Sequence, residues 1–268
     1  MAQAGWNLDG RAQGLSGAAS ARMVTARQPV VEWRMKCLVI TPVGPGHEEL
    51  ADACRQSVRR AVAASTGPFS SILHLVVDDS SGRIGRSAAR NHAIGKALEM
   101  GADWLFFLDA DDLMAEPAFS AVQPYIGGYD AVWGQICEML PGSDAPRLRP
   151  GQVAAISSFD DLLSHPPYLT LQIGHFVRSA LAASIGFDQT LDCGEDFAFY
   201  CEEWSRGRCI KIGDVLFINR RGRHSQGPRS ADGRRWLDTV EALLAGHRAQ
   251  RLAPGRPDPD EPVMPGPA

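Results

Sequence analysis

A chain of 268 residues, 44% of them apolar and 22% charged, has the material for one large folded core. With 27 Lys+Arg against 31 Asp+Glu the net charge is −4, which argues against a dedicated nucleic-acid binder. No apolar stretch reaches membrane-spanning length, and residues 1–34 lack the apolar core of a signal peptide. Six cysteines without CxxC spacing read as free thiols, and together these features point to a cytoplasmic protein.

Residues 1–34, rich in Ala, Gly, Gln and Arg, show no period and read as a loose extension, with Met35 a candidate start. Lys36–Thr41 is an apolar strand running into the turn PVGPG, and Glu48–Ala64 follows as a helix with two acids in its first turn. Ile72–Val77 is a second strand, Ser87–Met100 a second helix and Trp104–Leu108 a third strand. Strands that are apolar throughout and alternate with helices predict a mostly parallel α/β sheet covered on both faces. Beyond it, Ala131–Met139 and Cys209–Asn219 read as strands, and Glu195–Arg206 and Trp236–Gln250 as helices. They suggest a mixed-direction, acceptor-side region of the same sheet. Residues 252–268 hold six Pro and two Gly and read as a disordered tail, so the folded body is 35–251.

In parallel sheets the ligand sits outside the carboxyl ends of the strands. Two strands here end in acids, at Asp78-Asp79 and at Asp109-Ala110-Asp111-Asp112. Crowded carboxylates repel unless a cation separates them, and a hard divalent ion, Mg²⁺ or Mn²⁺, suits oxygen ligands. The bland reading of the second group is a solvated loop capping a helix over DLMAEPAF; that of the first is an Asx turn. Ser87-Ala88-Ala89-Arg90-Asn91 opens a helix, where backbone N–H groups and Arg90 can face an anion.

Together with Ile40-Thr41-Pro42, Gly186-Phe187-Asp188 and Gly194-Glu195-Asp196, these segments resemble the family 2 glycosyltransferases of GT-A fold. The resemblance spans about residues 36–225 and rests on the order of the pieces. It implies a GT-A-like, Rossmann-like sheet and inverting transfer from a nucleotide-diphosphate sugar, a UDP-sugar for preference. The acceptor would be a glycan or lipid-linked hydroxyl in surface polysaccharide or glycoconjugate synthesis. By the same resemblance Asp109 and Asp111 hold the metal on the diphosphate, with Ala110 between them at the donor. Asp78 and Asp79 lie at the base, Thr41 and Pro42 line its pocket, and Arg90 lies near base or phosphate. Asp196 would be the catalytic base, with Glu195 orienting it or binding acceptor. His224 corresponds to a histidine that approaches the diphosphate or its metal in relatives; a surface histidine among arginines is the other reading. The remaining six histidines, His47 among them, show no partner pattern.

The chain also departs from the family. Only Gly82–Arg86 separates Asp-Asp-Ser-Ser from Ser-Ala-Ala-Arg-Asn, where relatives insert a helix and a strand. The sheet is therefore expected to lack a strand there. Residues 206–251 carry eleven basic against four acidic residues, either a solvated face or a surface for a diphosphate, an anionic glycan or a membrane. Two alternatives remain: a nucleotidyltransferase on a related fold, and an inactive sugar-nucleotide-binding protein.

Overall fold

The computed structural model describes residues 35–222 and 233–252. The chain enters on β1 (Met35–Val43), crosses α1 (Glu48–Ala64) and returns on β2 (Phe69–Asp78). A second crossover, α2 (Arg86–Glu99), leads to β3 (Trp104–Phe107). Next come β4 (Leu113–Met114), α3 (Ala118–Val122), β5 (Ala131–Trp133), β6 (Cys137–Met139), β7 (Arg147–Leu148) and α4 (Phe159–Ser164). The second half closes with β8 (His175–Arg178), α5 (Ser179–Ile185), α6 (Glu195–Arg206), β9 (Cys209–Lys211), β10 (Phe217–Arg220) and α7 (Gly233–Leu252).

The large sheet has the order β2-β1-β3-β8-β5-β9, and β8 alone runs against its neighbours. The mostly parallel α/β sheet expected from the sequence is the one found. Strand parity divides the core into two layers. Leu38, Ile40, Leu105 and Phe107 meet α2 and α6 on one face, while Cys37, Val39, Trp104 and Phe106 meet α1 and α3 on the other. Burial of both faces explains the continuous apolar runs.

Three expectations change. Ala131–Met139 and Cys209–Asn219 are each two strands, β5/β6 and β9/β10. Both segments step from the large sheet into a smaller one of order β4-β10-β6-β7. The step in the first segment falls at Gly134, where the chain passes Asp214 and Leu216 too closely for a Cβ. The expected helix over DLMAEPAF is instead β4, paired with β10, followed by the short α3. Lastly β8, which the sequence does not announce, supplies the antiparallel member at the centre of the sheet. As expected from the short Gly82–Arg86 link, no strand among the described residues lies outside β2.

Candidate functional site

The carboxyl ends of β1, β2 and β3 open on a cleft of about 580 Å³. Loop 108–112, leaving β3, carries the acidic group. Ligand oxygens of Asp109, Asp111 and Asp112 lie within 4.8 Å of one another. Burial and the neighbouring carboxylates raise the Asp111 and Asp112 carboxyls above the ordinary carboxylate range, Asp112 well above it. Asp112, fully buried, accepts the Asn219 side-chain amide at 2.9 Å and the Arg220 backbone N–H at 3.0 Å. The Arg220 guanidinium donates to the carbonyls of Asp111 and Ala110, at 2.5 and 3.3 Å. The strand end of β10 thus holds the acidic loop by its backbone and its innermost carboxylate.

This donor set fits a hard divalent cation. It is all oxygen, its charges repel without a counterion, and the buried Oδ1 of Asn219 carries no hydrogen bond. Asp109 shares its charge with Arg90, whose Nη2 donates to Oδ1 at 2.6 Å.

Arg90 is the unusual member of α2: it sits on the buried face with Ala89, Ala93 and Ala97. Its Nη1 donates to Glu195 at 3.4 Å, and Arg86 Nε approaches the same oxygen at 2.8 Å. Glu195 opens α6 and is buried, held between two arginines. Asp196 beside it is half-buried and accepts the backbone N–H of Phe197 at 2.8 Å. Burial raises its carboxyl above the ordinary range, partly offset by Arg90.

At the end of β2 two adjacent acids part ways. Asp78 is exposed and turns back to accept the Ser80 N–H at 2.9 Å, the Asx turn, so its carboxylate faces solvent. Asp79 is buried, lines the cleft, and accepts the N–H groups of Ile84 and Gly85 at 2.9 and 2.7 Å. Gly85 takes φ +80°, which aims its N–H at Asp79 just before α2 begins. Thr41 is fully buried, with its hydroxyl 2.9 Å from His74 Nε2, and stands behind the cleft wall that Pro42 forms. His224 lies outside the described residues.

Pro42, Asp79, Arg90, Asp109, Ala110, Asp111, Glu195 and Asp196 therefore share one cleft, while Thr41 and Asp78 are not in its lining. Sequence reasoning missed several neighbours. His47, read as ordinary, has Nε2 4.0 Å from the Asp111 carboxylate. Asn219 is read from the sequence only as the end of the strand Cys209–Asn219, and Arg220 only as part of the basic stretch 206–251. Tyr168, Gln172 and Trp236 also line the cleft, brought in from segments far apart in sequence. No local pattern marks any of these.

No family model matches the chain, and no curated protein matches it. Among solved structures, S. aureus TarS 1–349 is similar with a TM-score of 0.54 at 15% identity, over 79% of this chain and 65% of that one. The same fragment in complex with UDP-GlcNAc gives 0.54 and 15%, over 78% and 66%. S. aureus TarS itself gives 0.55 and 17%, over 80% of this chain and 39% of its own. The chain thus spans just under two thirds of the TarS fragment, and the likeness is one of fold.

Proposed function

We propose that the chain is a metal-dependent, inverting glycosyltransferase moving a sugar from a nucleotide-diphosphate donor to a hydroxyl of a glycan or lipid-linked acceptor. One observation carries the reading: Asp109 and Asp111 of the all-oxygen acidic cluster and a separate carboxylate, Asp196, share one cleft at the carboxyl edge of the sheet. The likeness of fold to TarS in complex with UDP-GlcNAc supports a UDP-sugar as donor.

In this reading Pro42 and Asp79 take the nucleoside end of the donor. Asp109, Asp111 and Asp112 would hold a Mn²⁺ or Mg²⁺ ion, which neutralises charge on the departing diphosphate. Asp196 accepts the proton of the acceptor hydroxyl as its oxygen forms a bond to the anomeric carbon. The bond from that carbon to the diphosphate oxygen breaks on the opposite face, so the configuration inverts. A base works best with a pKa near the operating pH, and burial moves Asp196 in that direction. Arg86 and Arg90 hold Glu195, and through it the first turn of α6 that presents Asp196.

A ligand that binds only the native state raises the melting temperature. In a panel of UDP-GlcNAc, GDP-, dTDP- and CMP-sugars with and without Mn²⁺, a UDP-sugar with Mn²⁺ is expected to raise Tm most. If no sugar nucleotide shifts Tm in either condition, the reading fails.

A further inference from the structure

A second groove, sharing no residue with the cleft, lies between α1 and β2 and borders a strand with an open edge. β2 pairs with β1 along its whole length and ends the sheet. Its sequence, FSSILHLVVD, is that of an interior strand, with no Lys, Arg or Pro to discourage pairing. Alternate residues of such an edge point N–H and C=O outward, and among the described residues no strand takes them up. Leu73 stands 45% exposed on it.

Beside this edge, α1 and β2 enclose about 410 Å³. Val58, Val62, Ile72 and Val76 are among its apolar lining, and Arg55, Arg59 and His74 are its polar lining. Arg55 is paired with Asp52 at 2.5 Å, whereas Arg59 has no ion pair among the described residues. Burial, with Arg55 and Arg59 nearby, lowers His74 to about 4, so the imidazole is neutral at ordinary pH and the positive charge of the groove is carried by arginine.

We infer that the β2 edge is a docking site for an extended acidic peptide segment of a partner protein, which adds a strand to the sheet. Main-chain hydrogen bonds to β2 supply the affinity, and the two-residue alternation of a strand supplies the selectivity. Side chains on one face of the added strand enter the groove, where carboxylates meet Arg55 and Arg59. Those on the other face cover Leu73. A second copy of this chain suits the edge less well, because two-fold pairing of β2 with β2 brings the arginines of both α1 helices together.

The test uses the full chain and a fluorescein-labelled, blocked heptapeptide alternating glutamate and valine, followed by anisotropy at low salt. Binding is expected for this peptide and not for its lysine–valine counterpart. N-methylation of one set of alternate residues should abolish binding, while N-methylation of the other set should leave it. Arg55→Glu with Arg59→Glu should weaken binding at least about tenfold, with a cooperative melting transition retained and unchanged UDP-GlcNAc binding, since neither arginine lines the cleft. The proposal is overturned if the peptide does not bind, or if binding is indifferent to N-methylation or to the charge reversal. A concentration-dependent dimer in sedimentation that Leu73→Lys dissolves would also overturn it, by giving the edge to a second copy.

Discussion

Asp109, Asp111 and Asp196 are chemically alike and lie in one cleft, yet they belong to different parts of the proposed reaction. Asp111 sits in the oxygen cluster with Asp112. Asp196 opens a helix and is governed by burial and Arg90. Two substitutions should separate them. Asp111→Asn should remove the Mn²⁺-dependent rise in Tm with UDP-GlcNAc. Asp196→Asn should keep that rise and lose at least about a hundredfold in kcat, because a positioned base contributes on the order of 10²–10⁴-fold. Calorimetric donor titration beside a UDP-release assay reads both; loss of donor binding in step with activity at Asp196→Asn would place the base elsewhere. At this scale the sequence was legible where a strand ends in acids, and ambiguous between neighbours. Asp78 and Asp79 differ by one step of strand parity, and the turn after β2 decides that Asp79 reaches the cleft. Asn219, Arg220 and His47 join the acidic loop only through tertiary contact, so no spacing reveals them.

Among the elements, the run from β1 to β3 could be read directly, because β1 and β3 are largely buried on both faces, β2 is apolar over Ile72–Val77 apart from His74, and each helix keeps an apolar stripe. α1 has the predicted bounds, with Ala51, Cys54, Val58 and Ala61 on its buried face. β8 leaves no mark in the sequence because it is only four residues long and its ends are His175 and Arg178. His175 is fully buried there, stacked on Trp133 at 4.3 Å and 3.2 Å from Glu203. The segment 167–173, which lines the cleft with Tyr168 and Gln172, opens with a 3-10 turn at Pro167–Leu169 and is held by buried cations instead of a ladder. Arg149 donates to the Tyr168 carbonyl at 2.8 Å and to Gln172 at 2.5 Å, is paired with buried Glu138 at 2.8 Å, and lies over the Tyr168 ring. Breaking such a pair from one side leaves a buried charge uncompensated. Arg149→Met should therefore cost about 3–5 kcal/mol in urea denaturation. It should also speed hydrogen exchange in 167–173 ahead of the sheet. Unchanged exchange in that segment would contradict this account of the wall.

Across the whole molecule, buried ionisable groups make global stability a function of pH. Lys211, 1% exposed, donates to the Thr170 carbonyl at 2.5 Å; burial, with Arg149 nearby, lowers it from 10.5 to about 7. Below pH 7 both the native and the unfolded chain carry its proton, and burial of the charge opposes folding throughout. Between pH 7 and 10.5 the native chain has released the proton while the unfolded chain still holds it, so this contribution to stability rises with pH. The wild type should gain on Lys211→Met as pH is raised from 6.5 through 8 to 9.5, read as urea midpoints of the two chains. A difference that stays constant over that range would mean that Lys211 keeps its proton when buried.

Trp236 gives the cleft its own optical reporter. It is half-buried at the cleft wall, its ring 6.1 Å from Phe197, whereas Trp104, Trp133 and Trp204 are sealed in the core. Indole emission responds to local polarity, so a ligand seated against this wall changes the signal from Trp236 and leaves the three core indoles steady. Occupancy can thus be titrated on unlabelled protein, and the same titration on Trp236→Phe gives the blank.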